Sequence, residues 1–215
     1  MSSFINDFSN VQFLRKYTTI PVLMDILDRK RIPLLDPKKW EDRNDWKIMD
    51  KYRELKNKKS ILATCFSYGN ESIYHWNAFS KENDGCMISF YALPLIDHVR
   101  YKYPDIRMGK IQYKNIRDLK NGVVRDEIPF TKRSPYSCEK EFRMLQLFDD
   151  EIKSFDVSFD ISHICKIVLT QKLSDCIVET MKAKLTDFGV PRGKIFKSTI
   201  LENKQWVHFF EEMKA

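Results

Sequence analysis

Glycine is scarce, with six in 215 residues, and the glycine-rich loops that cradle phosphates are missing with it. The chain has no G-x-x-x-x-G-K-[ST], no G-x-G-x-x-G, no G-x-S-x-G elbow and no kinase motif set. A bound nucleotide would need another cradle. No Pro/Gly/Ser-rich linker divides the chain and no segment repeats, so residues 1–215 read as one domain. Nowhere do eighteen apolar residues follow one another, and 1–7 lack a basic patch leading into an apolar run. These absences predict a soluble, unexported, cytoplasmic protein without a membrane partner. Cys65, Cys86, Cys138, Cys165 and Cys176 form no C-x-x-C pair, and several lie in apolar runs, which fits reduced thiols. The four histidines have no metal-ligand spacing, so no metal site is expected.

What is present supports a folded domain: 43% of residues are hydrophobic and 13% aromatic. Lys and Arg number 37 against 30 Asp and Glu, giving a net charge of +7. That surplus raises the local concentration of polyanions, so a nucleic acid or phosphorylated ligand is admissible. The lysines are dispersed, however, and a merely soluble basic surface is the alternative.

Hydrophobic periodicity predicts a strand at 11–17, then a helix from Pro21 carrying Val22, Leu23, Ile26 and Leu27. Residues 31–35 read as extended. A surface helix at 45–58 carries Trp46, Met49, Tyr52 and Leu55 at helical spacing. A buried strand at 60–67, a short helix at 71–79 and a strand at 86–90 follow. From 99 onward the pattern is mostly strand, at 111–113, 142–148, 155–159 and 166–170, with a polar helical insertion at 115–121. Ser174 caps a helix ending near Asp187, and a strand at 194–197 precedes a helix at 205–213. This mixture predicts an α+β fold with mostly antiparallel strands flanked by helices.

The most informative stretch is Tyr136-Ser-Cys-Glu-Lys-Glu-Phe-Arg143. Strand alternation would put Glu139, Glu141 and Arg143 on one face, two carboxylates beside a guanidinium. Such a patch suits acid/base work or anion binding, because crowded like charges shift each other and arginine offers a fixed fork. A solvated edge strand is the plain alternative.

Several segments, taken in order, resemble the bacterial "domain of unknown function 2971" group. Leu14-Arg-Lys-Tyr-Thr18 is similar to its opening strand, and Trp40 to Asp45 is similar to its F-N-D-P segment without the proline. Cys65-Phe-Ser67 resembles its C-F-S strand. Trp76 to Phe90 resembles W-x-x-Y-x-x-x-x-x-G-[VC]-x-[IL]-x-F, and Lys132 with Tyr136 to Arg143 resembles K-x-x-x-[WY]-x-x-E-x-E-[YF]-R.

These pieces in turn look like an ADP-ribosyltransferase layout, in which a first-strand Arg or His, a second-strand Ser or Thr and a late Glu hold and cleave NAD. The resemblance implies Glu141 as the carboxylate that stabilises the oxocarbenium character developing as nicotinamide leaves. Glu139 would orient or deprotonate the acceptor. Lys16, Tyr17, Ser67, Trp76, Lys132, Tyr136 and Arg143 would line the NAD site; Arg15 or Lys16 would fill the first-strand place, with Lys16 the better aligned with the class's Arg or His and Arg15 expected to point to the opposite face. It also implies a nucleic acid or protein acceptor and admits a toxin or phage-defence setting.

The residues leave alternatives open. Trp76 and Phe79 at i and i+3 also read as core, Tyr17 and Tyr136 are undecided, and His75 reads as a surface or internally satisfied histidine. Lys132 and Arg143 could bind phosphate or pair with Glu139 and Glu141. A non-catalytic nucleotide-binding module of the same fold is the second reading. A hydrolase is the third, and its two carboxylates would need a metal or a wider separation.

Overall fold

The computed structural model describes residues 8, 10–79 and 83–212, with the backbone alone at Asn121. Segment 1–7 and the predicted helix end at Met213 lie outside the described residues. Chain order is β1 (Phe13–Thr19), α1 (Ile20–Arg29), β2 (Arg31–Leu35), α2 (Arg43–Leu55), β3 (Ser60–Ser67), α3 (Ile73–Phe79), β4 (Gly85–Tyr91) and α4 (Ala92–Lys102). Then come β5 (Arg107–Lys110), β6 (Gln112–Lys114), β7 (Thr131–Arg133), β8 (Glu141–Phe148), β9 (Ser154–Ser158), β10 (Ile164–Leu169), α5 (Asp175–Asp187), β11 (Ile195–Lys197) and α6 (Lys204–Glu211).

Nine strands form one sheet along the path β11-β10-β4-β1-β3-β2-β9, with β8 against β3 and β5 against β8. Within it only β10 and β11 pair in parallel, joined through α5, and a separate parallel ribbon pairs β6 with β7. The α+β expectation with mostly antiparallel strands therefore holds. β8 fills one edge of β3 over eight residue pairs. The other edge is shared by β1, at Ser67, and β2, at Ala63.

Alternation sorts the side chains into two layers. On one face Leu14, Leu62, Ile88, Phe90, Phe142, Met144, Ile167 and Leu169 meet α1 (Leu23, Ile26, Leu27), α4 (Leu95, Ile96, Val99) and α5 (Val178, Leu185) in the main core. On the other face Ile61, Ala63 and Leu145 meet Met49 and Tyr52 of α2 with Phe130. Farther along that face, Met87 and Val168 meet Trp76 of α3.

Helix α2 starts where Asp42 accepts hydrogen bonds from the Asn44 and Asp45 amides at 3.0 and 3.4 Å. This cap fixes the first turn, where an acidic side chain is favoured by the helix dipole. Asp45 occupies that turn and is buried.

The structure corrects several expectations. Residues 92–102 form α4, with buried Ala92, Leu95, Ile96 and Val99 at helical spacing. That period is obscured because the apolar run of β4 continues directly into it. The polar insertion contains only a short 3-10 turn, Asp118–Asn121. Ser134–Glu139 forms another 3-10 turn, so Glu139 is not on the glutamate strand. Pro135 sits early in that turn, and Lys140 at φ 44° provides the left-handed residue that turns the chain into β8.

Candidate active site

Glu141 opens β8 and Arg143 follows on the same face. Arg143 is fully buried and accounts for nearly all its donors: Nε reaches Glu141 Oε1 at 2.8 Å, and Nη2 reaches Asp45 Oδ2 at 2.6 Å and Glu141 Oε1 at 2.7 Å. Its Nη1 donates to Asp45 Oδ1 at 3.1 Å and to the Pro129 carbonyl at 2.8 Å. The indole of Trp40 covers the guanidinium, 4.8 Å from ring centroid to Cζ.

Lys132, delivered by β7, completes the cluster. Its Nζ donates to Glu139 Oε2 at 2.6 Å and to Glu141 Oε2 at 3.2 Å, and lies 3.6 Å from Asp45 Oδ2. The Tyr136 ring lies 4.7 Å from that ammonium. Three carboxylates thus share two cations in a nearly dry site. Burial alone would raise Glu141, but the Arg143 and Lys132 charges overcome it and hold the carboxyl down at about 2. Glu139 and Asp45 go the other way, because burial outweighs their cationic partners and raises both. The cluster therefore keeps Glu141 ionised at neutral pH and leaves Glu139 and Asp45 as its more readily protonated carboxylates. Glu139 Oε1 has one long contact, from the Tyr74 hydroxyl at 3.4 Å.

The loop bearing Glu139 is held from below. Ser67 Oγ donates to the Glu139 carbonyl at 2.8 Å and accepts from the Gly69 amide at 3.1 Å. His75 Nε2 lies 3.0 Å from the same carbonyl, and its Nδ1 is 2.6 Å from Ser72 Oγ. His75 is thus a buried, internally satisfied histidine, lowered in basicity by burial. Tyr113 Oη accepts the Glu141 amide at 2.9 Å.

Register then fixes the row that runs across the sheet. Arg15 pairs with Ser67, and Ser67 pairs with Glu141, so these three side chains are cross-strand neighbours on one face of β1, β3 and β8. Ser89 of β4 extends the row beyond Arg15. Arg15 donates to the Gly69 carbonyl and borders a cavity of about 350 Å³ lined by Asn10, Gln12, Phe13, Arg15, Tyr68 and Asn70. Ser67 and Glu141 do not line this cavity.

Lys16 is the expectation the geometry does not support. Alternation turns it to the opposite face of the sheet from Ser67 and Glu141, where Nζ donates to Thr64 Oγ1 at 2.7 Å and lies 5.5 Å from the Phe66 centroid. Burial lowers its pKa. Arg15 stands on the Glu141 face in its place. Tyr17 also lies on that face but is engaged in packing: it stacks on His75 at 4.9 Å and meets Trp76 edge-on at 5.5 Å. Trp76 is buried and donates to Glu71 at 2.9 Å, so its core reading fits the packing.

Glu139, Glu141, Lys132, Tyr136 and Arg143 are therefore brought together, with Ser67 beside them. Sequence reasoning missed Asp45, Trp40 and Tyr113 as members of the cluster. Trp40 and Asp45 had a signal, since they open and close the F-N-D-P-like segment. Among the described residues, no group of three or more His, Cys, Asp or Glu side chains could hold a metal ion, and no helix is long and apolar enough to cross a membrane.

No family model matches the chain, and no curated protein matches it. Among solved structures, the chain is similar to Thermus sp. 2.9 DarT in complex with ADP-ribosylated ssDNA, at TM-score 0.44 and 13% identity over 91% of this chain and 96% of that one. It is similar to the same protein in complex with NAD+, at TM-score 0.41 and 11% identity over 88% and 96% of the two chains. The complex with carba-NAD+ gives 0.41 and 12% over 92% and 98%. Likenesses at this level assign neither residues nor chemistry to this chain.

Proposed function

We propose that the chain is an ADP-ribosyltransferase-like enzyme that uses NAD, with Glu141 as its catalytic carboxylate and Arg15, not Lys16, as its first-strand cation. The observation that carries this is the cross-strand row of Arg15, Ser67 and Glu141 on three adjacent strands. The layout asks for that order of cation, hydroxyl and carboxylate, and the row supplies it on one face.

NAD would supply the ADP-ribosyl group, released as its nicotinamide–ribose bond breaks. Glu141, ionised by Arg143 and Lys132, would stabilise positive charge developing on the ribose. Glu139, with its raised pKa and one loosely held oxygen, is suited to take a proton from an incoming acceptor. Arg15 has a backbone carbonyl as its hydrogen-bond partner and sits at a cavity of about 350 Å³, within the size range of small-molecule sites. Its guanidinium fork suits a phosphate.

A second reading, a nucleotide-binding module without catalysis, is favoured by one observation: both Glu141 oxygens are already engaged by Arg143 and Lys132. Incubation with labelled NAD and a mixture of RNA, DNA and protein, comparing the native chain with Glu141→Gln, separates the two. Transfer that disappears in the variant supports the enzyme. Absence of transfer with a retained NAD-induced thermal shift supports the binding module, and absence of both removes NAD from either reading.

A further inference from the structure

Helices α1 to α5 each bury at least two side chains, whereas α6 buries none and every residue of 201–212 is exposed. The chain leading into α6 is anchored: Ser198 Oγ donates to Glu71 at 2.6 Å, and Ile200 packs against the Trp76 cluster. Beyond that anchor, Trp206, Val207, Phe209 and Phe210 are 69%, 48%, 67% and 53% exposed. The aromatic rings meet one another, Trp206 with Phe210 at 5.3 Å and Phe209 with Phe210 at 5.8 Å. Asn203 caps the helix by accepting from the Trp206 amide at 3.0 Å. Even so, a helix of 8 residues falls short of the roughly 12–15 at which isolated helices begin to hold in water, so its stability must come from packing. An exposed apolar face of this kind marks an interaction surface.

The charges on α6 indicate what covers it. Lys204 opens the helix, and Glu211 with Glu212 closes it. That is the reverse of what its own dipole favours, since the N-terminus attracts anions and the C-terminus cations. An antiparallel second copy removes the conflict, because each copy then brings its lysine to the other's C-terminal end and its glutamates to the other's N-terminal end. Lys204 stands three residues before Val207 and Glu211 four after it, so the three share one edge of the helix, beside Phe210. When two such edges lie antiparallel, Lys204 of each copy meets Glu211 of the other while Trp206, Val207 and Phe210 close between them. Parallel pairing would bring like ends together instead. Within its own copy Lys204 is near Asp175, but Lys197 already holds that carboxylate at 2.7 Å. A lipid surface fits less well, because one cation against two carboxylates is not the basic polar face that anionic headgroups select.

We infer that α6 is a homodimer interface, in which two copies of this chain pair antiparallel through Trp206, Val207 and Phe210, with Lys204 of each facing Glu211 of the other. The pairing is independent of the transferase reading above.

Sedimentation velocity over a concentration series tests it. The interface is small, so the native chain should pass from monomer to dimer across the micromolar range. Trp206→Ala/Phe210→Ala should weaken the dimer at least about a hundredfold, since central aromatic anchors dominate such contacts. Both residues are exposed, so the thermal midpoint of the variant should match that of the native chain at concentrations where the native chain is monomeric. Lys204→Glu and Glu211→Lys, made singly, should each weaken self-association about tenfold by setting like charges against each other. An equimolar mixture of the two single variants should regain association, because one contact then pairs the two introduced charges and the other pairs the two native ones. A chain that stays monomeric throughout overturns the dimer, and if it binds phosphatidylglycerol vesicles through Trp206 and Phe210 the face belongs to lipid. A dimer untouched by Trp206→Ala/Phe210→Ala overturns α6 as its interface, and a mixture as weak as the single variants overturns the antiparallel arrangement.

Discussion

Lys132 and Lys16 both turn their ammonium groups inward, and their surroundings drive them apart. Lys132 meets three carboxylates, and although burial lowers its pKa, Glu141, Asp45 and Glu139 raise it well above the ordinary lysine value. Lys16 meets a threonine hydroxyl and an aromatic ring, and burial lowers its pKa without an opposing carboxylate. A buried cation is thus fixed by the charges placed around it, and strand parity decides which charges those are. One residue along β1, Arg15 faces the carboxylate row and Lys16 faces the core.

The largest effect should come from removing the hub of the paired region. Arg143→Met leaves Asp45 and Glu141 buried without their main partner, and urea unfolding should show a loss of about 3–5 kcal/mol. Lys132→Met should cost somewhat less, about 3 kcal/mol, since Arg143 still serves Asp45 and Glu141 while Glu139 loses its closest cation. If Lys132→Met were neutral, the ammonium would not be compensating the buried Glu139 carboxylate.

The pH dependence sharpens the same contrast. Glu141 is held at about 2, below the ~4.3 of an unfolded glutamate. Its contribution is therefore complete above that unfolded value and is lost as the pH falls toward 2. Asp45 and Glu139 are raised, so their protonation on mild acidification favours the folded state. Stability measured across pH should thus hold or rise slightly on the mildly acidic side before falling steeply, and Glu141→Gln should flatten the steep limb.

Lys16→Met should be the mildest core change, within about 1 kcal/mol and in the stabilising direction, because it replaces an ammonium lacking a carboxylate by an apolar chain of similar size. A large loss would mean that Lys16 has a role the geometry does not give it. Arg15→Ala should change stability least, within about 0.5 kcal/mol, yet abolish an NAD-induced thermal shift.

Much of the fold was legible. Apolar spacing in α1, the Ser174 cap, and the continuous apolar run of β3 are local signals, and each element formed near its expected place. The helix α4 was hidden because its apolar stripe merges with β4. At the site, the residues of the glutamate segment were readable because they lie close in sequence. Asp45 lies 98 residues from Arg143, and no local pattern links them. The reading of Glu139 as a strand residue failed for a different reason: a 3-10 turn and a left-handed Lys140 deliver its carboxylate to Lys132 from outside the strand.

The sequence alone singled out Lys132, Glu139, Glu141 and Arg143 as candidates, because they lie close together in the chain, and predicted the α+β class from periodicity. Tertiary structure decided the rest: that Asp45 joins them, and that Arg15 and not Lys16 shares their face. Those outcomes depend on strand register and on which distant segments the sheet brings within a few ångströms, and neither is encoded in the neighbourhood of any single residue.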